Sequence, residues 1–236
     1  MRSHPRRHLL ALVLLPVVLG LSSCRSGSSV SKREEVQMGR ETAQAIERQY
    51  RTRGDATLTR IGNRLAAYSE RPDLPWSFRV IESPEVNAIS LPGGPIYIFE
   101  GLLQRIAGDE DMIAGVLGHE IGHVEERHAV RQMERSQLFG LGAEILGRAT
   151  SGDVGAAAQI AANLELLSYS RRQEYDSDDA AIRLMRQAGY DPQGLVRLLE
   201  LLRREGGGGG GFNWLRTHPT PQARVDRARE QVRGGR

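Results

Sequence analysis

Apolar positions along the 236-residue chain fall into three patterns, and each predicts its own kind of element. The first is a continuous run of 13 residues, LLALVLLPVVLGL (9–21). It is too short to cross a hydrocarbon core of about 30 Å as a helix. The second pattern is helical. Residues 32–51 carry helical spacing and open on Ser31 with Glu34 three places on, a capping box. Residues 55–70 place Leu58, Ile61, Leu65 and Tyr68 three or four apart, which predicts a second helix. The third pattern is short and strand-like: WSFRVIES, VNAISL and PIYIFE read as three strands. The last two flank Pro92-Gly93-Gly94, the turn signal of a hairpin.

Helical spacing then resumes. A short helix is expected around 102–106 and a long one over 109–134. Residues 137–150 and 154–168 read as an Ala- and Gly-rich helical hairpin, a buried packed pair. Glu144, Arg148 and Asp153 interrupt it too often for a membrane span. A helix over 171–187 is stopped by Gly189, and one over 191–204 is opened by Asp191-Pro192. Six glycines, 206–211, form a flexible loop, and a last helix runs over 221–232. The pattern contains no internal repeat. It predicts a mostly helical α+β domain with a small antiparallel or mixed sheet, over residues 32–236.

The N-terminal run changes meaning once its flanks are read. MRSHPRRH before it is basic, which makes residues 1–23 a secretory signal peptide. The run ends in Leu21-Ser22-Ser23-Cys24, which resembles a bacterial lipobox. Cys24 is the one cysteine in the chain, so it is either a lipidated mature N-terminus or a stray thiol after an ordinary cleavage site. On the first reading residues 24–31 are a lipidated polar tether, and the chain works in the cell envelope, anchored to a membrane and facing the periplasm. By resemblance to Gram-negative lipoproteins, Arg25 after the cysteine permits sorting to the outer membrane. Lys+Arg 32 against Asp+Glu 29 gives a net charge of +3, and residues 1–23 supply three arginines and no acid. The remainder is 29 minus 29, or zero. With no arginine block interleaved with aromatics, nucleic acid is not an expected partner.

The candidate chemistry lies in LGHEIGHVEERH (117–128), which holds three of the chain's six histidines. His119 and His123 are four apart, so on a helix their imidazoles share one face and can meet one metal ion. Glu120 projects about 100° around from His119, beside the metal, where a general base belongs. A catalytic zinc site takes three protein ligands and an open position. A third histidine ten residues after the first is ruled out, because Ala129 stands there. Glu174 on a later helix can complete the site, and Asp178, four further on, can accept the outer ring N–H of a ligand histidine. His128, placed about 500° or 140° beyond His123 on one continuous helix, faces away and reads as structural or surface. Glu125 and Glu126 read as the solvated face of that helix. Gly140-Leu141-Gly142 follows no strand and lacks dinucleotide-loop spacing.

These stretches occur in a familiar order. HEIGH (119–123), NAISLPGG (87–94), YSRRQEYDSD (169–178) and Thr217-His218-Pro219 together resemble the M48 family of zinc metallopeptidases, most closely its short lipoprotein members. The resemblance covers residues 32–232. Asp176 and Ser177 depart from the family's Glu-x-Glu-Ala-Asp pattern while Glu174 and Asp178 keep it. The resemblance implies a zincin-like fold and one zinc ion per chain. With the chain ending at Arg236 and no transmembrane helix read, the helical-repeat extension and the membrane spans of other members are expected to be absent. It also implies an edge strand at 86–91, with Asn87 and Ala88, that pairs with substrate; Asn87 reads equally as a turn-side structural residue. His218 has three readings: a donor to the oxyanion, an occupant of the open zinc position at rest, or only part of a turn leading into a helix.

The function these residues predict is a zinc-dependent endopeptidase that cleaves unfolded or misassembled envelope proteins, with the outer-membrane assembly machinery as an implied partner. A reading from another class is a non-proteolytic zinc-binding lipoprotein acting as a chaperone or assembly factor. The intact Glu120 argues against it, because holding zinc alone requires no base.

Overall fold

The structure, a computed structural model, describes residues 30–106, 108–138, 168–205, 214–219 and 222–234. Helix α1 (Lys32–Gln49) starts with the anticipated capping box: Ser31 accepts from Glu34 N–H and the Glu34 side chain returns to the Ser31 backbone. Strand β1 (Thr52–Gly54) follows, then α2 (Ala56–Ala66), whose N-cap Asp55 accepts from Leu58 N–H. This helix ends four residues before the pattern predicts, and Tyr68 lies exposed beyond it. Next come β2 (Ser77–Ile81), β3 (Ala88–Ser90) and β4 (Pro95–Phe99), as the three apolar stretches anticipate.

The sheet is mixed, in the order β1-β2-β4-β3. Strands β2 and β4 are parallel, with Ser77 opposite Pro95, while β1 and β3 run antiparallel to their neighbours. β1 is absent from the hydropathy pattern because Thr-Arg-Gly has no apolar residue to alternate. Strand β4 is buried at every position, since both faces of the sheet are covered. Val80, Ile96 and Ile98 face a core shared with the later helices; Ile81, Tyr97 and Phe99 face a second core under α1. The hairpin turn takes positive φ at Gly93 (76°) and Gly94 (124°). A side chain at Gly93 would meet the Val36 Cα at 2.6 Å, so the turn lies directly against α1.

The remaining described helices are α3 (Glu100–Arg105), α4 (Glu110–Glu125), α5 (His128–Leu138), α6 (Arg171–Ala188), α7 (Gln193–Glu205), α8 (Trp214–Thr217) and α9 (Gln222–Gly234). The long helix expected over 109–134 is thus two, α4 and α5, divided at Arg127, whose φ of 53° is left-handed. Helix α4 is capped by Asp109, with Glu110 and Asp111 in its first turn, where acids favour the helix dipole. Every residue from Met112 to Val124 is buried, so α4 is a central helix covered all round. No described helix is long and apolar enough to cross a membrane. The signal segment, Cys24 with the expected tether up to residue 29, the glycine loop 206–211, and all but the ends of the 137–168 hairpin lie outside the described residues.

Candidate metal centre

The centre forms where α4 meets α6. The two helices approach closely because α4 offers glycines to its partner. A Cβ on Gly118 would stand 3.1 Å from the Ala181 Cα, and one on Gly122 would stand 2.9 Å from the Ser177 Cα. Helix α6 is held in register at both ends. Ser170 and Gln173 form a capping box, and Gly189 closes the helix at φ 76°. Its buried face carries Glu174, Ser177, Asp178 and Ala181. Glu174 and Asp178 therefore project toward α4 one turn apart, as their spacing predicts. Gly122→Ala is expected to force the helices apart at a cost of about 1–3 kcal/mol. A thermal melt lowered by less than that of a neutral surface substitution would refute this account of the contact.

His119, His123, Glu174 and His218 each direct one ligand atom into a common space, and these atoms lie within 4.8 Å of one another. His119 Nε2 is 3.1 Å from His123 Nε2 and 3.3 Å from His218 Nδ1. Glu174 oxygens lie 3.0 Å from His218 Nδ1, 3.5 Å from His123 Nε2 and 3.7 Å from His119 Nε2. These separations suit donors arranged at about 2.0–2.2 Å around one tetrahedral centre, and two or three imidazoles with a carboxylate are a zinc-type set. All four residues are buried. The described residues therefore fit a bound zinc ion.

His119 Nδ1 is 3.0 Å from Asp178 Oδ1, within hydrogen-bond reach. Glu120 is buried beside the cluster, and neither carboxylate oxygen has a hydrogen-bond partner among the described residues. Its Oε1 lies 3.7 Å from His218 Nε2. A buried carboxylate with no partner is costly unless it serves a ligand or reactant, so its position accords with a proton acceptor at the site.

His218 is brought in from far along the chain. Its backbone N–H donates to Trp214 O at 2.7 Å, closing α8, and Tyr169 N–H donates to Thr217 O at 2.9 Å. The Trp214 indole stacks on its ring at 4.4 Å. The turn reading of Thr217-His218-Pro219 therefore describes its backbone but not its side chain, which joins the cluster.

Electrostatics tie the cluster together. Burial opposes ionisation of Glu174, but His218 and Arg224 outweigh it and hold this carboxyl well below the usual range. Burial likewise opposes Asp178, and Arg224 with His119 again prevails, so its carboxyl is held low. Burial would lower His218, yet Glu174 raises it. Burial pushes His123 down to about 4, which favours the neutral form that a ligand histidine needs.

Arg224 is the residue the sequence reading missed. Its side chain is fully buried on α9 and donates to both Asp178 oxygens at 2.8 Å, to Pro219 O at 3.1 Å and to Glu174 Oε2. The available signal was its position: with Val225, Ala228 and Val232 it forms the buried face of α9, and an arginine there needs a partner. Tyr169 was likewise overlooked within YSRRQEYDSD; its ring stacks on His123 at 4.0 Å.

Two expectations are corrected. Glu125 is not on a solvated face: its side chain is 3 % exposed and accepts from Glu70 N–H and Arg183 Nη2, both at 2.6 Å. Glu126 is only partly exposed and pairs with Arg131 at 3.2 Å. His128 does not face away. It is 2 % exposed, and its Nδ1 lies 3.0 Å from His123 Nδ1, because the left-handed turn at Arg127 redirects the chain.

Among the described residues the sheet has two edges, β1 and β3, and β3 is the one that the 86–91 segment was expected to form. Asn87 O accepts from Phe99 N–H and Leu91 N–H donates to Pro95 O, so the backbone groups of Ala88 and Ser90 point away from β4. With Ile89 they line a narrow cleft whose other lining residues are Glu120, Tyr169, Thr217 and His218. The Asn87 side chain turns back to accept from Ala88 N–H at 3.0 Å and is buried.

The sequence model of Peptidase family M48 matches residues 52–232. The chain is 28% identical over 222 residues to the beta-barrel assembly-enhancing protease of Escherichia coli (strain K12), covering 88% of this chain and 45% of that protein. It is 32% identical over 175 residues to the mitochondrial metalloendopeptidase OMA1 of Schizosaccharomyces pombe, covering 73% of this chain and 51% of that one. Metalloprotease YcaL of Escherichia coli is 30% identical over 170 residues, covering 69% and 64% respectively. The chain thus spans about half the length of the first of these curated relatives.

Proposed function

The chain belongs to peptidase family M48, and from that membership we propose that it is a zinc-dependent endopeptidase acting on unfolded or misassembled proteins of the cell envelope. The observation that carries this is the buried Glu120 carboxylate, without a hydrogen-bond partner among the described residues, beside a cluster of three histidines and a glutamate. A chain that only held zinc would have no need of it.

In this reading His119, His123 and Glu174 hold the metal. A zinc ion there supplies Lewis acidity, polarising the scissile carbonyl and making water acidic near neutral pH. The chain's own residues do the rest. Asp178 keeps the His119 proton on Nδ1 and so leaves Nε2 free to bind. Glu120 accepts a proton from the attacking water at a carboxylate oxygen and returns it to the leaving amine nitrogen. His218 Nδ1, placed among the ligand atoms, favours the role of resting occupant of the fourth position. The outward carbonyl of Ala88 and the outward backbone groups of Ser90 pair with an extended substrate backbone along the cleft, the Ala88 N–H being taken by Asn87 Oδ1. Backbone pairing is largely blind to side chains, which suits unfolded substrates. The relative named for enhancing beta-barrel assembly supports an envelope role, reached here through a lipid on Cys24 and association with outer-membrane assembly machinery.

The test is direct. Purified chain is expected to bind one zinc, to cleave casein, to stop when a chelator is added and to recover when zinc is returned. Stoichiometric zinc with no cleavage of casein would instead favour the chaperone or assembly-factor reading.

A further inference from the structure

We infer that His128 is a positioning residue for His123, holding that ligand's ring through a nitrogen-to-nitrogen hydrogen bond. The inference rests on the metal-centre reading above. His123 turns Nε2 toward Glu174 and His119, and its other nitrogen, Nδ1, lies 3.0 Å from His128 Nδ1. Both rings are buried. At that distance one nitrogen donates and the other accepts. With Nε2 committed to the ligand cluster, the His123 hydrogen sits on Nδ1. His123 therefore donates and His128 accepts, which places the His128 hydrogen on its own Nε2. The two ligand histidines of α4 are thus held by different partners, His119 by the Asp178 carboxylate and His123 by an imidazole. Such outer partners fix the tautomer and orientation of ligand rings. Tyr169, stacked on His123 at 4.0 Å and 29°, sets the plane of the ring while His128 sets its direction.

The backbone is built for this contact. On an unbroken helix His128 would point about 140° away from His123. The corner at Arg127 brings it back, with φ 53° in a residue other than glycine, an uncommon conformation. The corner is tied down from the other end of the domain. Arg127 Nη2 donates to Val30 O at 2.6 Å, and its Nε lies 2.9 Å from Glu35 Oε2. Glu35 is fully buried and also receives Arg71 through two bonds of 2.8 Å. A costly corner held by an ion pair to the buried Glu35 is what a fixed His128 direction requires.

The experiment compares zinc affinity, by competition with a chelator of known affinity, in the unaltered chain, His128→Leu and His128→Asn. Leucine fills the space but cannot accept; the asparagine Oδ1 stands near where Nδ1 stood and can. His128→Leu is expected to lose about 10–100-fold in zinc affinity and His128→Asn to recover most of it. The visible absorption of the cobalt-loaded protein is expected to shift in the leucine variant and return in the asparagine one. Equal losses in both variants would mean that packing alone is at stake and would overturn the inference, as would a leucine variant with unaltered affinity and spectrum. Should His128→Leu fail to fold, judged by the melt of the metal-free protein, His128→Phe takes its place. If the unaltered chain binds no zinc, the metal-centre reading itself fails and this inference with it; if it binds and only the variants disagree, this inference alone fails.

Discussion

Glu120→Gln is expected to lower kcat for casein cleavage by about 10²- to 10⁴-fold, the usual contribution of a positioned general base, while one zinc per chain stays bound. Glutamine keeps the shape of the side chain and removes its ability to take a proton. The ligands are untouched, because Glu120 leaves the helix about 100° from His119 and carries none of the atoms that converge on the cluster. The melting temperature is not expected to fall, since neither Glu120 oxygen makes a hydrogen bond among the described residues that the substitution would break. Metal analysis and single-substrate kinetics on the same preparation decide the matter. Turnover within a few-fold of the unaltered chain would remove Glu120 from the reaction, and loss of zinc would place it among the groups that hold the metal.

The second large effect lies outside the motif. Arg224→Met is expected to destabilise the metal-free protein by about 3–5 kcal/mol, the cost of leaving buried charge without its partner. Arg224 is the cation that reaches both buried carboxylates of α6, gripping Asp178 through two bonds and Glu174 through a third. Methionine fills much of its volume but leaves Asp178 and Glu174 facing only histidines. At roughly 2–4 °C per kcal/mol for a domain of this size, the melt is expected to drop by about 6–20 °C. Zinc brings positive charge back to Glu174, so the drop is expected to be smaller when the metal is present. A variant that melts like the unaltered chain, with and without zinc, would show that Arg224 balances neither carboxylate.

The comparison of these two residues shows what was legible in the sequence. Glu120 was found at once, because HEIGH is a local pattern and helical geometry alone decides which side chains share a face. The same applied to Glu174 and Asp178, four apart on α6, and to the hairpin announced by Pro92-Gly93-Gly94. Arg224 was not found, since nothing near it in the chain states that its partners lie 46 and 50 residues earlier.

His128 marks the boundary between the two kinds of information. Local spacing placed it on one helix with His123 and turned it away, and that conclusion would hold had the helix continued. The break depends on Arg127, whose left-handed backbone is tied to Glu35 and Val30 more than ninety residues upstream. His218 is a similar case. Its sequence setting allowed three readings, and only the stacking of Trp214 and the strand-like bond from Tyr169 to Thr217 deliver its ring to the cluster. The sequence by itself therefore determined the helix faces, the turn, and the pairing of His119 with His123 and of Glu174 with Asp178 on their helices, because these follow from spacings of two to four residues. The tertiary structure decided which distant side chains converge, since burial and ion pairing act across segments whose separation along the chain carries no periodic signal.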